Sequence, residues 1–212
     1  WGNVERPTHR NTSWDWARFE SCAHKWVDLS ESDYGVSLLN DCKYGHDILD
    51  NVLRLTLLKG STFPDPDADL GTHQFLYSLY LHEGDWRSGT VPEAYAVNNP
   101  MIVSYPESCS GKGYLPASSS LVNLDSDRII IETIKKAQDE RGLILRAYEY
   151  KRSRGSVGLS CSFNPDEVWQ CNLHEEEITA IPSSEGRVEF PTDPYQIHTI
   201  RLVAGMETHV NK

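Results

Sequence analysis

Arg6-Pro-Thr-His-Arg-Asn-Thr-Ser-Trp-Asp-Trp-Ala-Arg-Phe-Glu20 is the stretch on which the reading of this chain turns. Alternation is its signature. In an extended segment Trp14, Trp16 and Arg18 share one face, and Asp15, Ala17 and Phe19 the other. Two indoles two residues apart either plug the core of a β-sandwich or form a flat platform on which a sugar can stack. The core is the favoured use, since Trp is highly buried on average.

Working outward, residues 34–81 predict antiparallel strands. Tyr34–Leu39 runs into the turn-rich Asn40-Asp-Cys-Lys-Tyr-Gly45, and Val52–Leu58 sets Leu53, Leu55 and Leu57 against Arg54 and Thr56. A third run puts Phe75, Tyr77, Leu79 and Leu81 on one face and Leu76, Ser78 and Tyr80 on the other. Pro64 and Pro66 cannot donate to a ladder, so residues 59–72 form a loop. No segment before residue 125 shows a helical period. Residues 104–120, rich in Ser, Gly and Pro, read as a linker, with a boundary near residue 113.

Beyond the linker, Asp127–Ala137 fits helix or strand. Its triple Ile favours a strand, and Gln138-Asp-Glu-Arg-Gly142 makes a turn into Leu143–Tyr150. Val157–Phe163, Val168–Leu173, Arg187–Phe190 and Tyr195–Val203 bring the count to six short strands, the spacing of a second small sandwich. The expected class is therefore all-β, with antiparallel sheets over residues 1–113 and a smaller sandwich over 114–212.

Composition narrows the partners. The 212 residues are 39% hydrophobic and 24% charged, as in a soluble globular chain, with net charge −11. That balance lacks the basic footprint needed for nucleic acid or an anionic membrane surface. No apolar run approaches the ~20 residues of a membrane span. Cys22, Cys42, Cys109, Cys161 and Cys171 are odd in number and lack Cys-x-x-Cys spacing, which points to a reducing, cytoplasmic setting. The chain opens on Trp1 without a visible secretory signal, so a piece of a longer polypeptide is expected.

The opening stretch, with Leu38-Leu-Asn-Asp-Cys-Lys-Tyr-Gly45 and Asp67-Ala-Asp-Leu-Gly-Thr-His-Gln-Phe75, closely resembles the C-terminal region of the family 38 glycoside hydrolases. These are the α-mannosidases, and the resemblance is to their cytosolic and bacterial type. It implies that residues 1–113 complete a large galactose-mutarotase-like sandwich. It also implies that the partners are the rest of an α-mannosidase polypeptide and a mannose-containing oligosaccharide. In that family a retaining mechanism employs a carboxylate nucleophile and a carboxylic acid, and zinc or another divalent metal grips the sugar. The resemblance places those groups in a preceding region, so no catalytic nucleophile and no metal ligand is assigned in this chain.

The candidate site is the loop Phe63-Pro-Asp-Pro-Asp-Ala-Asp-Leu-Gly-Thr-His73, with Asp67, Asp69 and His73 as substrate-binding residues. Asp65, Asp67 and Asp69 crowd without a Lys or Arg between Lys59 and Arg87. They need compensation from solvent, a cation, or donors such as sugar hydroxyls. The resemblance implies that this loop reaches toward the cleft. A solvated loop with local Asx turns explains the same residues without a ligand. An EF-hand is disfavoured because the twelfth-position Glu is missing. Gln74 stands where the family commonly has Glu, which weakens any role for that position. Two further readings stay open: a non-catalytic carbohydrate-binding module using Trp14 and Trp16, and a homo-oligomerising sandwich with a large apolar patch on one sheet face.

Overall fold

The computed structural model describes residues 1–105 and 116–204. The chain falls into two compact units, one over residues 4–105 and one over 116–204 together with Trp1–Asn3. The expected boundary near residue 113 lies outside the described residues.

The first unit opens with α1 (Ser13–Ala17), where an extended segment was expected. Thr12 Oγ1 accepts the Asp15 N–H at 3.2 Å and the Asp15 carboxylate accepts the Thr12 N–H at 2.9 Å. This reciprocal capping box fixes a helical turn and overrides an alternation only six residues long. The Thr12 hydroxyl also donates to the Asp15 carboxylate at 2.9 Å, and with the Thr12 N–H it holds that carboxyl below its usual range. Residues two apart on a helix point about 200° apart, so Trp14 and Trp16 share no face. They are 72% and 61% exposed, which overturns the core assignment.

Six strands follow among the described residues, β1 (Glu20–Cys22), β2 (Trp26–Ser30), β3 (Tyr34–Asn40), β4 (Gly45–Leu49), β5 (Val52–Leu55) and β6 (Tyr77–Glu83). They form two antiparallel three-stranded sheets, ordered β1-β4-β5 and β2-β3-β6. The expected strand through Leu58 stops at Leu55, and Leu57 is exposed. A helix that the sequence did not announce, α2 (Thr90–Asn98), comes after a 3₁₀ turn at Trp86–Ser88. It buries Thr90, Val91 and Ala94. That footprint is too narrow to register as an apolar stripe, and Pro92 is tolerated because it sits in the first turn.

Gly35 and His82 are register partners across β3 and β6. A Cβ on Gly35 would meet His82 Cε1 at 2.3 Å and Ser30 Cβ at 2.8 Å. The His82 ring is itself held by Asp28, so it cannot retreat freely. Gly35→Ala should cost about 1–3 kcal/mol through overpacking. Urea unfolding checks this, and a loss below about 0.5 kcal/mol, the range of ordinary surface changes, would mean that the ring has room to move.

The second unit is a β-sandwich with nine described strands: β7 (Val122–Leu124), β8 (Ile129–Lys136), β9 (Leu143–Glu149), β10 (Gly155–Cys161), β11 (Glu167–Cys171), β12 (Glu177–Ala180), β13 (Ser183–Ser184), β14 (Arg187–Thr192) and β15 (Ile197–Val203). Sheets ordered β13-β14-β10-β7 and β12-β11-β15-β9-β8 enclose one core. Val157 and Leu159, with Val188 and Phe190, come from the first; Leu145 and Ala147, with Ile200 and Leu202, come from the second. The six expected strands are present. The additional β7, β12 and β13 are two to four residues long, too short to show a period. In the β8–β9 hairpin Gly142 has φ +84°, and a Cβ there would strike Leu202 O at 2.3 Å. Only glycine meets both conditions.

His198 lies at the edge of this core, with a ring-centroid distance of 4.8 Å to Phe190 and Nε2 bonded to Thr192 Oγ1 at 2.9 Å. Burial lowers its pKa from 6.5 to about 4. Between those values the unfolded chain binds the proton and the folded chain does not, so stability rises with pH. The contribution is full above about pH 6.5 and is lost as pH falls toward 4, by about 3 kcal/mol at most. His46, fully buried in the first unit, is shifted the same way by the same cause. Thermal melts between pH 7 and pH 4 should show a smaller loss for His198→Gln than for the parent, and identical profiles would overturn the assignment.

Candidate functional site

The loop joining β5 to β6 carries all three substrate-binding candidates, and the structure separates their roles. Asp69 is half-buried, and its Oδ2 accepts the Gly60 N–H at 2.6 Å. His73 is exposed and donates from Nε2 to the Asp69 carbonyl at 3.0 Å. Asp65 Oδ1 accepts the Asp67 N–H at 2.9 Å, an Asx turn, and Leu70 N–H closes onto Asp67 O at 3.0 Å. Main-chain donors thus compensate Asp65 and Asp69. The Asp67 carboxylate is exposed and has no hydrogen-bond partner among the described residues. Asp69 and His73 close the loop upon itself, while Asp67 presents an unused acceptor.

One constellation unites residue types associated with nucleophilic hydrolysis. On the face of β2-β3-β6 toward α2, Asp28 Oδ1 accepts from Ser37 Oγ at 2.7 Å and from His82 Nε2 at 2.8 Å. Ser37 Oγ lies 3.1 Å from His82 Nε2 and takes a bond from Thr90 Oγ1 at 2.6 Å. Ser37 and Thr90 are fully buried and His82 is 8% exposed, so no substrate reaches the hydroxyl. Serine and imidazole also converge on one carboxylate oxygen, whereas a relay needs the imidazole between the other two. The cluster ties α2 to its sheet. Sequence spacing could not reveal it, because Asp28 and His82 are 54 positions apart and meet through strand pairing.

The opening stretch has a structural duty of its own. Arg10 pairs with Asp47 at 2.5 Å, and its guanidinium lies 5.5 Å from the Trp16 ring centroid and 6.0 Å from that of Phe19. Asp47 also binds Arg54 at 2.7 Å. Arg10 therefore clamps the segment onto β4 and covers one side of the Trp16 indole.

In the second unit, a cavity of about 440 Å³ is lined by Asp139, Arg141, His174, Glu175, Glu177 and Arg201, among others. Its charges are already matched: Arg201 with Asp139 at 2.8 Å, Arg141 with Glu177 at 2.9 Å, and Lys135 with Glu175. Lys135 and the Gln138 N–H hold the Glu175 carboxyl below its usual range. Among the described residues no three or more His, Cys, Asp or Glu side chains gather so as to hold a metal ion. No chemical step is therefore assigned to the zinc that the resemblance implies.

Comparison with known proteins adds a consistent picture. The profile described as the glycosyl hydrolases family 38 C-terminal domain matches residues 1–67, and the family 38 C-terminal beta sandwich domain matches residues 128–200. Alpha-mannosidase G of Dictyostelium discoideum is 38% identical over 208 residues, covering 96% of this chain and 19% of that protein. Alpha-mannosidase 2C1 of Mus musculus is 38% identical over 209 residues, covering 95% and 20%. The Saccharomyces cerevisiae alpha-mannosidase is 32% identical, with 95% and 20% covered. The chain thus spans about a fifth of these relatives' length. Among solved structures, an alpha-mannosidase from Enterococcus faecalis V583 superposes with a TM-score of 0.78 at 22% identity, over 95% of this chain and 23% of that one. At that identity the likeness concerns the fold.

Proposed function

Because the chain belongs to glycosyl hydrolase family 38, as part of its C-terminal region, we propose that it is the β-sandwich portion of an α-mannosidase. The complete polypeptide removes terminal α-D-mannose from oligosaccharides with retention, using carboxylate and metal groups outside this chain. The observation that carries the reading is the match to α-mannosidases along 95–96% of the chain, at about a fifth of their length. The sandwiches serve as scaffold, and the β5–β6 loop as cleft wall. Within it Asp69 and His73 set the loop's shape, and Asp67 accepts a hydrogen bond from a mannose hydroxyl. Zinc, or another divalent metal, belongs to the remainder of the enzyme.

A cytoplasmic setting is part of the proposal. It is supported by the cysteines among the described residues, Cys22, Cys42, Cys161 and Cys171, which are all free thiols. No helix among the described residues is long and apolar enough to cross a membrane. The isolated chain should show no turnover of an aryl α-mannoside, with or without added zinc, while the complete polypeptide turns it over. Hydrolysis by a rigorously purified isolated chain would overturn the scaffold assignment.

A further inference from the structure

The cavity of the second unit is walled by elements that meet only in the fold: the β8–β9 turn at residues 138–142, the β11–β12 loop at residues 172–176, and Arg201 of β15. Each wall is fixed from behind. Arg201, with only 5% of its side chain exposed, bonds Asp139 at 2.8 Å through Nη1 and the Glu175 carbonyl at 2.8 Å through Nη2. Glu175 pairs with Lys135 at 2.5 Å and accepts the Gln138 N–H at 2.8 Å, which ties the loop to the turn. Asn172 Oδ1 accepts the His174 and Glu176 N–H groups at 2.9 and 3.0 Å, and Arg146 holds the Leu173 carbonyl at 2.7 Å. Walls braced in this way are preorganised, so a ligand has little left to order.

What the walls leave unused defines the ligand. The His174 ring and the Gln138 amide have no hydrogen-bond partner among the described residues, and neither have Glu176 Oε1 and Glu177 Oε2. Arg201 Nε is buried 3.6 Å from Glu177 Oε1 and makes no hydrogen bond. Donors and acceptors thus share one opening of about 440 Å³, a volume in the range of small-molecule sites. Asp139, Glu175 and Glu177 are ion-paired with Arg201, Lys135 and Arg141. An anion would meet four carboxylates, and a cation would find only Glu176 without an ion-pair partner among the described residues. We infer that the cavity binds a hexose, a neutral ligand whose every hydroxyl both donates and accepts and so meets carboxylate, amide and imidazole together. The inference goes beyond the mannosidase reading and does not rest on it. No Trp, Tyr or Phe is among the lining residues, so the affinity for one sugar ring is weak, on the order of millimolar.

The test follows amide hydrogen exchange by mass spectrometry in the complete polypeptide, with D-mannose or D-glucose at about 100 mM, well above that affinity. A bound hexose should slow exchange at residues 138–142 and 172–177 about 10-fold or more, since opening these segments then requires its release. No slowing by either hexose overturns the proposal. Equal slowing by inorganic phosphate or by spermidine overturns it in favour of a charged ligand. The double variant Gln138→Ala with His174→Ala removes two side chains that hold nothing in the fold, and should weaken binding about 10-fold. Unchanged exchange in β9 and β15 verifies that this variant is folded, and hexose protection undiminished in it overturns the placement of the ligand. The comparison of ligands in the unsubstituted polypeptide stands whether or not the variant folds. Mannoside hydrolysis, measured alongside, separates the two readings. An enzyme inactive on mannosides yet protected here by a hexose removes the functional reading and keeps the site, and an active one without protection does the reverse.

Discussion

Glu149→Ala should destabilise the second unit by about 4 kcal/mol, the scale of a buried charge network losing its central acceptor. Glu149 ends β9 and is fully buried. Its Oε1 accepts from Lys151 N at 2.8 Å, Ser153 N at 3.0 Å and Ser153 Oγ at 2.9 Å. Its Oε2 accepts from Arg152 N at 3.1 Å and Tyr195 N at 2.9 Å. Arg152 and Tyr195 both have positive φ, at 60° and 58°, so the carboxylate also holds two strained turns against each other. Alanine strands four main-chain N–H groups, each costing about 1–3 kcal/mol when buried, with water recovering part of the loss. For a unit of this size the melting temperature should fall by about 15 °C or more, at about 4–8 °C per kcal/mol. Glu149→Gln keeps one acceptor oxygen but turns an amide donor toward other donors, so about half the loss is expected. Calorimetry on both variants checks the ranking, and losses below about 1 kcal/mol for each would show that solvent replaces the carboxylate.

Asp67→Asn in the complete enzyme should lower kcat/KM about 10- to 100-fold while leaving the melting temperature unchanged. A charge-assisted bond that tightens in the transition state supplies this effect, at about 1.36 kcal/mol per tenfold. The fold should not suffer, because the Asp67 carboxylate holds nothing in the loop. Asp69→Asn provides the contrast. Its carboxylate anchors Gly60, so any kinetic loss should come with a rearranged or more mobile loop. Steady-state kinetics and melts on the two variants distinguish contact from shape. Kinetics within twofold of the parent for Asp67→Asn would make the loop a solvated surface feature, and the three site assignments would fall together. The sandwich and the family membership would be unaffected.

The uneven legibility of these features has physical causes. Strand signals survived wherever β-branched runs met a committed turn, as in Ile129–Lys136 followed by the turn to Gly142. The alternation around Trp14 misled because it was too short to outweigh a capping box at the head of the same segment. Thr12 and Asp15 satisfy each other's main chain within three residues, and a capping box needs no distant partner. The signal was present in Thr12-Ser-Trp-Asp15, and the indoles outweighed it. In the candidate loop, spacing marked the acidic crowding correctly but could not say which carboxylate was already spoken for. Asp69 meets Gly60 nine residues away, through a chain reversal that residue order does not reveal.

Local periodicity and turn chemistry by themselves determined the all-β class, the sandwich of the second unit and most strand positions, because period-two patterning is a property of neighbours along the chain. Motif wording alone pointed to the enzyme family. Which side of each strand faces a partner was decided only in three dimensions. Residues 77–82 carry apolar groups on both parities, and α2 covers the side of Ser78, Tyr80 and His82 while Tyr77, Leu79 and Leu81 stay exposed. Burial of Glu149 and the meeting of Asp28, Ser37 and His82 were likewise tertiary outcomes. Each depends on a register that joins residues 9 to 54 positions apart, and no local pattern encodes a register between distant strands.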